Sequence, residues 1–381
     1  MSDSLQSLRL PPQEIEHARR AVTEARRLEP GGSLEPETLQ WANATTIGLD
    51  TEFVRERTFF PRPGLIQLSD GHTVWLLDAL APRPITQLGE LLERPSQVKI
   101  LHAVGEDLEV FQILTGALPR PLFDTQIAAA MLGQPLQLRY EHLVLACFGV
   151  ELPGGKARSD WCKRPLDDSL LEYAAQDVIW LPRLHAHLAD GLAAKNRLHW
   201  LEEDCERLVA SASSNLDTSQ PLDRVKGAGR LDDTALAWLS VLVRWRDHQA
   251  RERDLPRSFV LRDEAMLDTA VRLVRQGPTP AALEGMPKGL QSRHGERLLA
   301  LLESGPPTDF RRPAELMQLD QDQRDWLKLA QQHVRTQAEA LEIDPALIAS
   351  KRELTRLARG EHPDWLQGWR GSVLADLPKP A

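Results

Sequence analysis

Residues 45–56 read TTIGLDTEFVRE. β-Branched and apolar residues dominate this run, so it is expected to be extended. Side chains alternate between the two faces of a strand, which puts Ile47, Leu49, Thr51 and Phe53 on one side and Gly48, Asp50 and Glu52 on the other. Two carboxylates therefore share the face opposite an apolar row. Taken alone, such a pair also fits a half-exposed edge strand whose acids meet water.

The flanking sequence is that of a mixed α/β sheet. LIQLSDGHTVWLLD (65–78) reads as two strands around Asp70-Gly71, a dipeptide suited to the positive φ angles of a tight hairpin. QVKILHA (97–103) reads as another strand, followed by a helix from Glu106 through Leu114 with Leu108, Phe111 and Leu114 at helical spacing. FDTQIAAAMLG (123–133) reads as a helix capped by Asp124 and stopped near Gly133. A hairpin followed by strand-helix units places the domain in the mixed α/β class.

A second acidic position lies in SLLEYAAQDVIWLPRLHAHL (169–188). Ser169 and Glu172 have capping-box spacing, Leu171, Ala174, Val178, Leu181 and Leu184 form a buried stripe, and Tyr173 and Asp177 share the adjacent face. Pro182 is expected to kink this helix well after Asp177. Asp107 falls in the first turn of a helix that follows a strand, the end of an α/β sheet where ligands usually bind.

At 381 residues the chain is long enough for two or three domains. Its 42% hydrophobic and 27% charged residues are those of a soluble globular protein. Residues 1–36 are expected to form an N-terminal arm and 37–210 the mixed α/β domain. SASSNLDTSQP, within 211–221, has no periodic apolar face and reads as a linker. Helical patterns then fill 222–304 and 312–375, two small all-α domains separated at Gly305-Pro306-Pro307. A net charge of −9 argues against indiscriminate coating of nucleic acid, while leaving room for a local basic groove. Cys147, Cys162 and Cys205 are odd in number and lack C-x-x-C spacing, implying neither a disulfide framework nor a thiolate zinc site. No signal-peptide layout or long apolar span is present, so a cytoplasmic location without membrane contact is expected.

Asp50, Glu52, Asp107 and Asp177, with Tyr173 four before the last, resemble the acid pattern of the DEDD exonucleases, in the branch that uses tyrosine. A histidine of the other branch would stand where Glu172 is. DTEFVRERTFFPRPGLIQLSDG, LHAVGEDLEVF, FDTQIAAAMLG, RSDWCKRPL and YAAQDV follow one another in the order and at the spacing of the ribonuclease D family. The helical tail is similar to that family's paired HRDC domains, most clearly at WRDHQARERDLPRSFVLRDEAML (245–267).

The resemblance implies a ribonuclease H-like 3′–5′ exonuclease domain followed by two all-α HRDC-type domains. It implies that Asp50, Glu52, Asp107 and Asp177 hold divalent Mg²⁺ or Mn²⁺, two ions per site, and that Tyr173 orients the attacking water. RNA is the implied partner, in particular tRNA precursors with extra 3′ residues, with 5′-mononucleotides as products and no nucleotide cofactor. The chemistry suits the residues: clustered carboxylates repel an anionic phosphodiester, and hard divalent cations reverse that sign.

A DNA-directed 3′–5′ exonuclease and a catalytically silent RNA-binding module are the competing readings. No G-x-x-x-x-G-K-[ST] element is present, which argues against a fused helicase motor. For substrate contacts, Lys156, Arg158, Lys163 and Arg164 surround Trp161 in a basic and aromatic loop suited to phosphates and a stacked base, or equally to a charged loop with a packed tryptophan. His102, near the end of its strand, suits either the terminal nucleotide or a structural hydrogen bond, and Arg55, Arg57 and Arg62 suit either the substrate or solvent. Trp238, Leu242 and Trp245 form a helical stripe read as core.

Overall fold

The computed structural model of the protein describes residues 10–28, 40–41, 43–80, 86–215 and 221–379. Six strands form one sheet: β1 (Arg26–Leu28), β2 (Thr46–Val54), β3 (Arg62–Ser69), β4 (Val74–Asp78), β5 (Val98–Leu101) and β6 (Leu122–Asp124), in the order β1-β4-β3-β2-β5-β6. β2 is an inner strand, antiparallel to β3 and parallel to β5, so water is not the default partner of its acids. The β3–β4 turn contains Asp70-Gly71 with Gly71 at φ +89°, as the dipeptide predicts. The β2–β3 register shifts between Glu52 and Phe53, a bulge near the end of the strand that carries the carboxylates.

Helices α1 (Pro12–Thr23), α2 (Thr86–Leu92), α3 (Asp107–Thr115), α4 (Thr125–Met131), α5 (Tyr140–Phe148), α6 (Asp168–Ile179), α7 (Leu181–Ala194) and α8 (Leu198–Asn215) complete this layer structure. Several boundaries correct the sequence-based expectation. Residues 10–28 are part of the α/β domain: α1 buries Ala18, Ala21 and Val22, and β1 pairs parallel with β4. The three residues of β1, Arg-Arg-Leu, have no alternation to betray them. The rest of the expected arm, residues 1–9 and 29–36, lies outside the described residues. Ser211–Asn215 of the expected linker are the last turn of α8, and 216–220 lie outside the described residues.

The long helix expected through Pro182 is two helices. α6 ends at Ile179, α7 begins at Leu181, and Pro182 occupies the first turn of α7, where a missing N–H leaves nothing unsatisfied. The capping box is also absent: α6 begins at Asp168 behind Asp167, which makes no side-chain cap, and Ser169 stands inside the first turn.

Beyond residue 221 all regular structure among the described residues is helical. The longer helices are α9 (Asp233–Glu252), α10 (Asp263–Gln276), α11 (Lys288–Leu302), α12 (Gln321–Leu341), α13 (Lys351–Ala358) and α14 (Trp369–Val373). α9 to α11 enclose their own core around Leu236, Leu239, Leu242, Met266 and Leu298, with Trp238 buried and Trp245 partly so. Phe59, from the loop after β2, enters that core with Arg251 and Arg257 over its ring at 5.0 and 4.8 Å. The Asp254 carboxylate accepts the backbone N–H groups of Phe59 and Phe60 at 2.9 and 3.0 Å.

The C-terminal helices behave differently. Trp326, Val334, Leu354 and Trp369 belong to the same apolar cluster as the sheet, so this segment closes on the α/β domain instead of enclosing a core of its own. Trp369 stacks on Trp200 at 4.4 Å, and Arg370 forms a two-pronged pair with buried Asp204 at 2.5 and 2.8 Å. Arg197 spans the junction, donating to Met131 O at 2.6 Å and Leu341 O at 2.7 Å. The three cysteines are free thiols, and no described helix is long and apolar enough to cross a membrane.

Candidate active site

At Gly48 the α6–α7 junction comes unusually close to β2. A Cβ placed there would lie 2.8 Å from Leu181 Cβ and 3.0 Å from Val178 O, neither of which is the end of a flexible chain. Val178 follows Asp177, so the glycine lets the helix bring Asp177 beside Asp50 on the same strand face. Gly48→Ala is expected to cost about 1–3 kcal/mol by overpacking, read as a lower melting temperature. An unchanged melt would mean that the junction is loose.

Asp50, Glu52 and Asp177 each offer a carboxylate oxygen within 4.8 Å of the others. They line a pocket of about 390 Å³ together with Thr51, His102, Gly105, Glu106, Asp107, Tyr140, Glu141 and Tyr173 among others. Among the described residues six carboxylates line it, those of Asp50, Glu52, Glu106, Asp107, Glu141 and Asp177, and no lysine or arginine does.

The electrostatics follow from that composition. Asp50 is held well above the usual carboxylate range by burial first, then by the charges of Asp107, Asp177 and Glu52. Glu52 is pushed up to about 9 by burial, then by Asp177 and Asp107. Asp177 rises to about 7 through burial, offset in part by a hydrogen bond from Tyr173. Burial, then the charges of Asp177, Glu52 and Asp50, keeps the Tyr173 phenol protonated far above its ordinary range. Such a set lacks positive charge, and all-oxygen donors in a tight group suit a hard divalent cation.

Asp107 lies slightly apart. It is the first residue of α3, is buried, and accepts a hydrogen bond from Thr51 Oγ1. Burial lifts it to about 7. It lines the same pocket but falls outside the three-carboxylate group, so the four acids of the sequence reading resolve into a triad and a neighbour. Asp124 aims α3 through the turn before it: besides capping α4, its carboxylate accepts the N–H groups of Ala103 and Val104 at 3.2 and 3.0 Å. Ala103 there has φ +59°.

The substrate-contact expectations fare unevenly. Trp161 is fully buried, with its carbonyl packed so close to Gly64 that a Cβ there would sit 2.4 Å away. Its ring instead backs Tyr173, with centroids 6.2 Å apart. Arg164 pairs with Asp78 at 2.6 and 2.7 Å and donates to Gly64 O, and Lys156 donates to Ser169 O at 2.9 Å. Both nitrogens of His102 are engaged, with Thr125 Oγ1 and Leu138 O, each at 2.9 Å, which leaves neither for a nucleotide. Arg55 is bound to Glu109 and to Phe59 O. Arg158 and Lys163 are exposed, as are Arg57 and Arg62, and Arg158 follows Ala157 on the pocket rim.

Tyr140 is the residue that sequence reasoning missed. The chain has two tyrosines, and both line this pocket. That scarcity was the available signal.

Comparison with known proteins bears on the same region. A family model described as 3′-5′ exonuclease matches residues 34–193, and one described as HRDC domain matches residues 235–302. Ribonuclease D of Pseudomonas paraeruginosa is 38% identical over 349 residues, covering 89% of this chain and 92% of the relative. Ribonuclease D of Escherichia coli is 34% identical over 346 residues, covering 87% and 91%. The crystal structure of E. coli RNase D, described as an exoribonuclease involved in structured RNA processing, superposes with a TM-score of 0.84 at 32% identity, covering 92% of this chain and 96% of that one.

Proposed function

The chain belongs to the ribonuclease D family, an exoribonuclease with a 3′-5′ exonuclease domain and an HRDC domain, and on that premise we propose that it trims the extra 3′ residues of tRNA precursors by metal-assisted hydrolysis. One observation carries the chemistry: among the described residues, six carboxylates and no lysine or arginine line a pocket into which an anionic backbone must bring its 3′ end. Asp50, Glu52 and Asp177 would hold the cations, two per site, with Asp107 contributing directly or through water. Bound there, Mg²⁺ or Mn²⁺ supplies the positive charge that offsets phosphate and carboxylates and acidifies the attacking water.

The protein's own groups do the rest. Tyr173, a neutral phenol in the metal-free site and hydrogen-bonded to Asp177, would orient the water. Trp161 behind it holds the ring in place. Thr51 fixes one oxygen of Asp107, which directs the other toward the pocket. Arg158, exposed and next in sequence to the pocket residue Ala157, would meet the incoming phosphates. Precursor trimming would take place in the cytoplasm.

A 3′-extended tRNA and a DNA of matched sequence, each incubated with the protein and with its Asp50→Ala variant, test the proposal. Mononucleotides are expected from the RNA, stopping with chelator and in the variant. Equal or faster release from DNA would instead make this a DNA-directed exonuclease, and RNA binding without release would make it a silent module.

A further inference from the structure

We propose that Tyr140 is a positioning residue that presets Asp177 for the divalent cation, an inference that rests on the metal-assisted reading above. Tyr140 is the first residue of α5, and its hydroxyl donates to the Gln176 carbonyl at 3.2 Å. Gln176 immediately precedes Asp177, in the last turn of α6.

That turn needs outside support. α6 stops at Ile179, and Pro182 has no N–H to return to the Val178 carbonyl, so the helix ladder is interrupted one residue after Asp177. At such a break the last carbonyls of α6 are held by groups outside the regular ladder, Val178 O by the Trp180 N–H and Ile179 O by Arg183 Nη1 at 3.4 Å. The Tyr140 hydroxyl holds the Gln176 carbonyl from a different element, beside the ligand that the junction must hold still.

The tyrosine is itself immobilised. Its ring meets that of His102 edge-on at 5.6 Å, and His102 is fixed at both nitrogens by Thr125 and Leu138. A chain of fixed contacts therefore runs from the β5 end and the segment before α5, through His102 and Tyr140, to the backbone at Asp177. Tyr173 touches the Asp177 carboxylate directly, whereas Tyr140 touches only the backbone that carries it. The two tyrosines thus divide the work, one facing the reaction and the other setting the ligand.

Outer partners of metal ligands typically account for about 10–100-fold in metal affinity or activity. For Tyr140→Phe, which keeps the ring and removes the hydroxyl, Mn²⁺ binding followed by the EPR signal of the free ion should weaken by about tenfold, at the lower end of that range. The rate at saturating Mn²⁺ should return to near that of the unmodified protein. In a double-mutant cycle, Tyr140→Phe on the Asp177→Asn background should cost no further Mn²⁺ affinity, because the ligand it sets is already gone.

Unchanged Mn²⁺ affinity in Tyr140→Phe, or an additive loss on the Asp177→Asn background, overturns the inference. If the phenylalanine variant does not fold, hydrogen exchange on the intact protein decides. Amides of the α6 end protected as strongly as its middle support anchoring, and amides frayed to exposed-loop rates overturn it. An unmodified protein that binds no Mn²⁺ would instead remove the metal-assisted reading, a different result from normal binding in both forms.

Discussion

Replacing Asp50 with asparagine should slow 3′-end hydrolysis by about 10³-fold or more and at the same time raise the melting temperature of the metal-free protein. The rate loss follows because cation stabilisation of the developing charge amounts to several kcal/mol, each 1.36 kcal/mol being about tenfold. The stability gain follows from the same residue. Asp50 is half-buried beside three other carboxylates and, among the described residues lining the pocket, no cationic side chain, so its charge is unfavourable until a cation arrives. An amide of nearly equal volume removes the repulsion and keeps the packing. A gain of about 2–4 °C corresponds to roughly 1 kcal/mol in a domain of this size. The gain should be present at pH 8 and vanish near pH 4, where the unmodified residue also carries its proton. Calorimetry with chelator present and a single-turnover assay with metal measure the two effects. A variant that melts lower, or that retains its rate, contradicts the account.

The second large effect is a stability profile that inclines the unusual way. Free carboxylates titrate near pH 4, whereas in the fold Asp107 and Asp177 do so at about 7 and Glu52 at about 9. Between those limits the folded, metal-free protein keeps protons that the unfolded chain has released. Stability contributed by these groups is therefore full below pH 4, declines as pH rises through the folded values, and levels off above about 9. Divalent cations bind the deprotonated set, so the increase in melting temperature on adding Mn²⁺ should be small at pH 5 and largest at pH 9. Scans at pH 5, 7 and 9 with chelator and with Mn²⁺ measure this. A metal-induced increase of the same size at all three pH values would mean that these acids do not hold the ion.

Much of this site is legible before any folding is considered. The alternation in TTIGLDTEFVRE puts Asp50 and Glu52 on one face, and the four-residue step from Tyr173 to Asp177 puts the phenol against its acid, because both depend only on local periodicity. Asp124 as a helix cap is local in the same sense. What remained hidden depends on contacts between distant segments. The burial of Trp161 is set by Gly64 nearly a hundred residues earlier, and nothing in the loop's own composition separates a stacking tryptophan from a packed one. The short strand β1 exists because the edge of β4 is open to it, and Arg-Arg-Leu has no pattern of its own. The sequence resemblance leaves open whether Asp107 contributes directly or through water, because local pattern does not reveal that Thr51 donates to one of its oxygens.

The placement of the C-terminal helices has a mechanical consequence. The segment carrying α9 to α11 departs from one apolar interior and the chain afterwards returns to that same interior through Trp326 and Trp369. Val209 before that segment and Trp326 after it are thus packed in a single body, and the Phe59 plug clamped by Asp254 attaches the segment itself to the loop after β2. A segment gripped at Phe59 by a second body has fewer ways to swing than one joined to it through the chain alone.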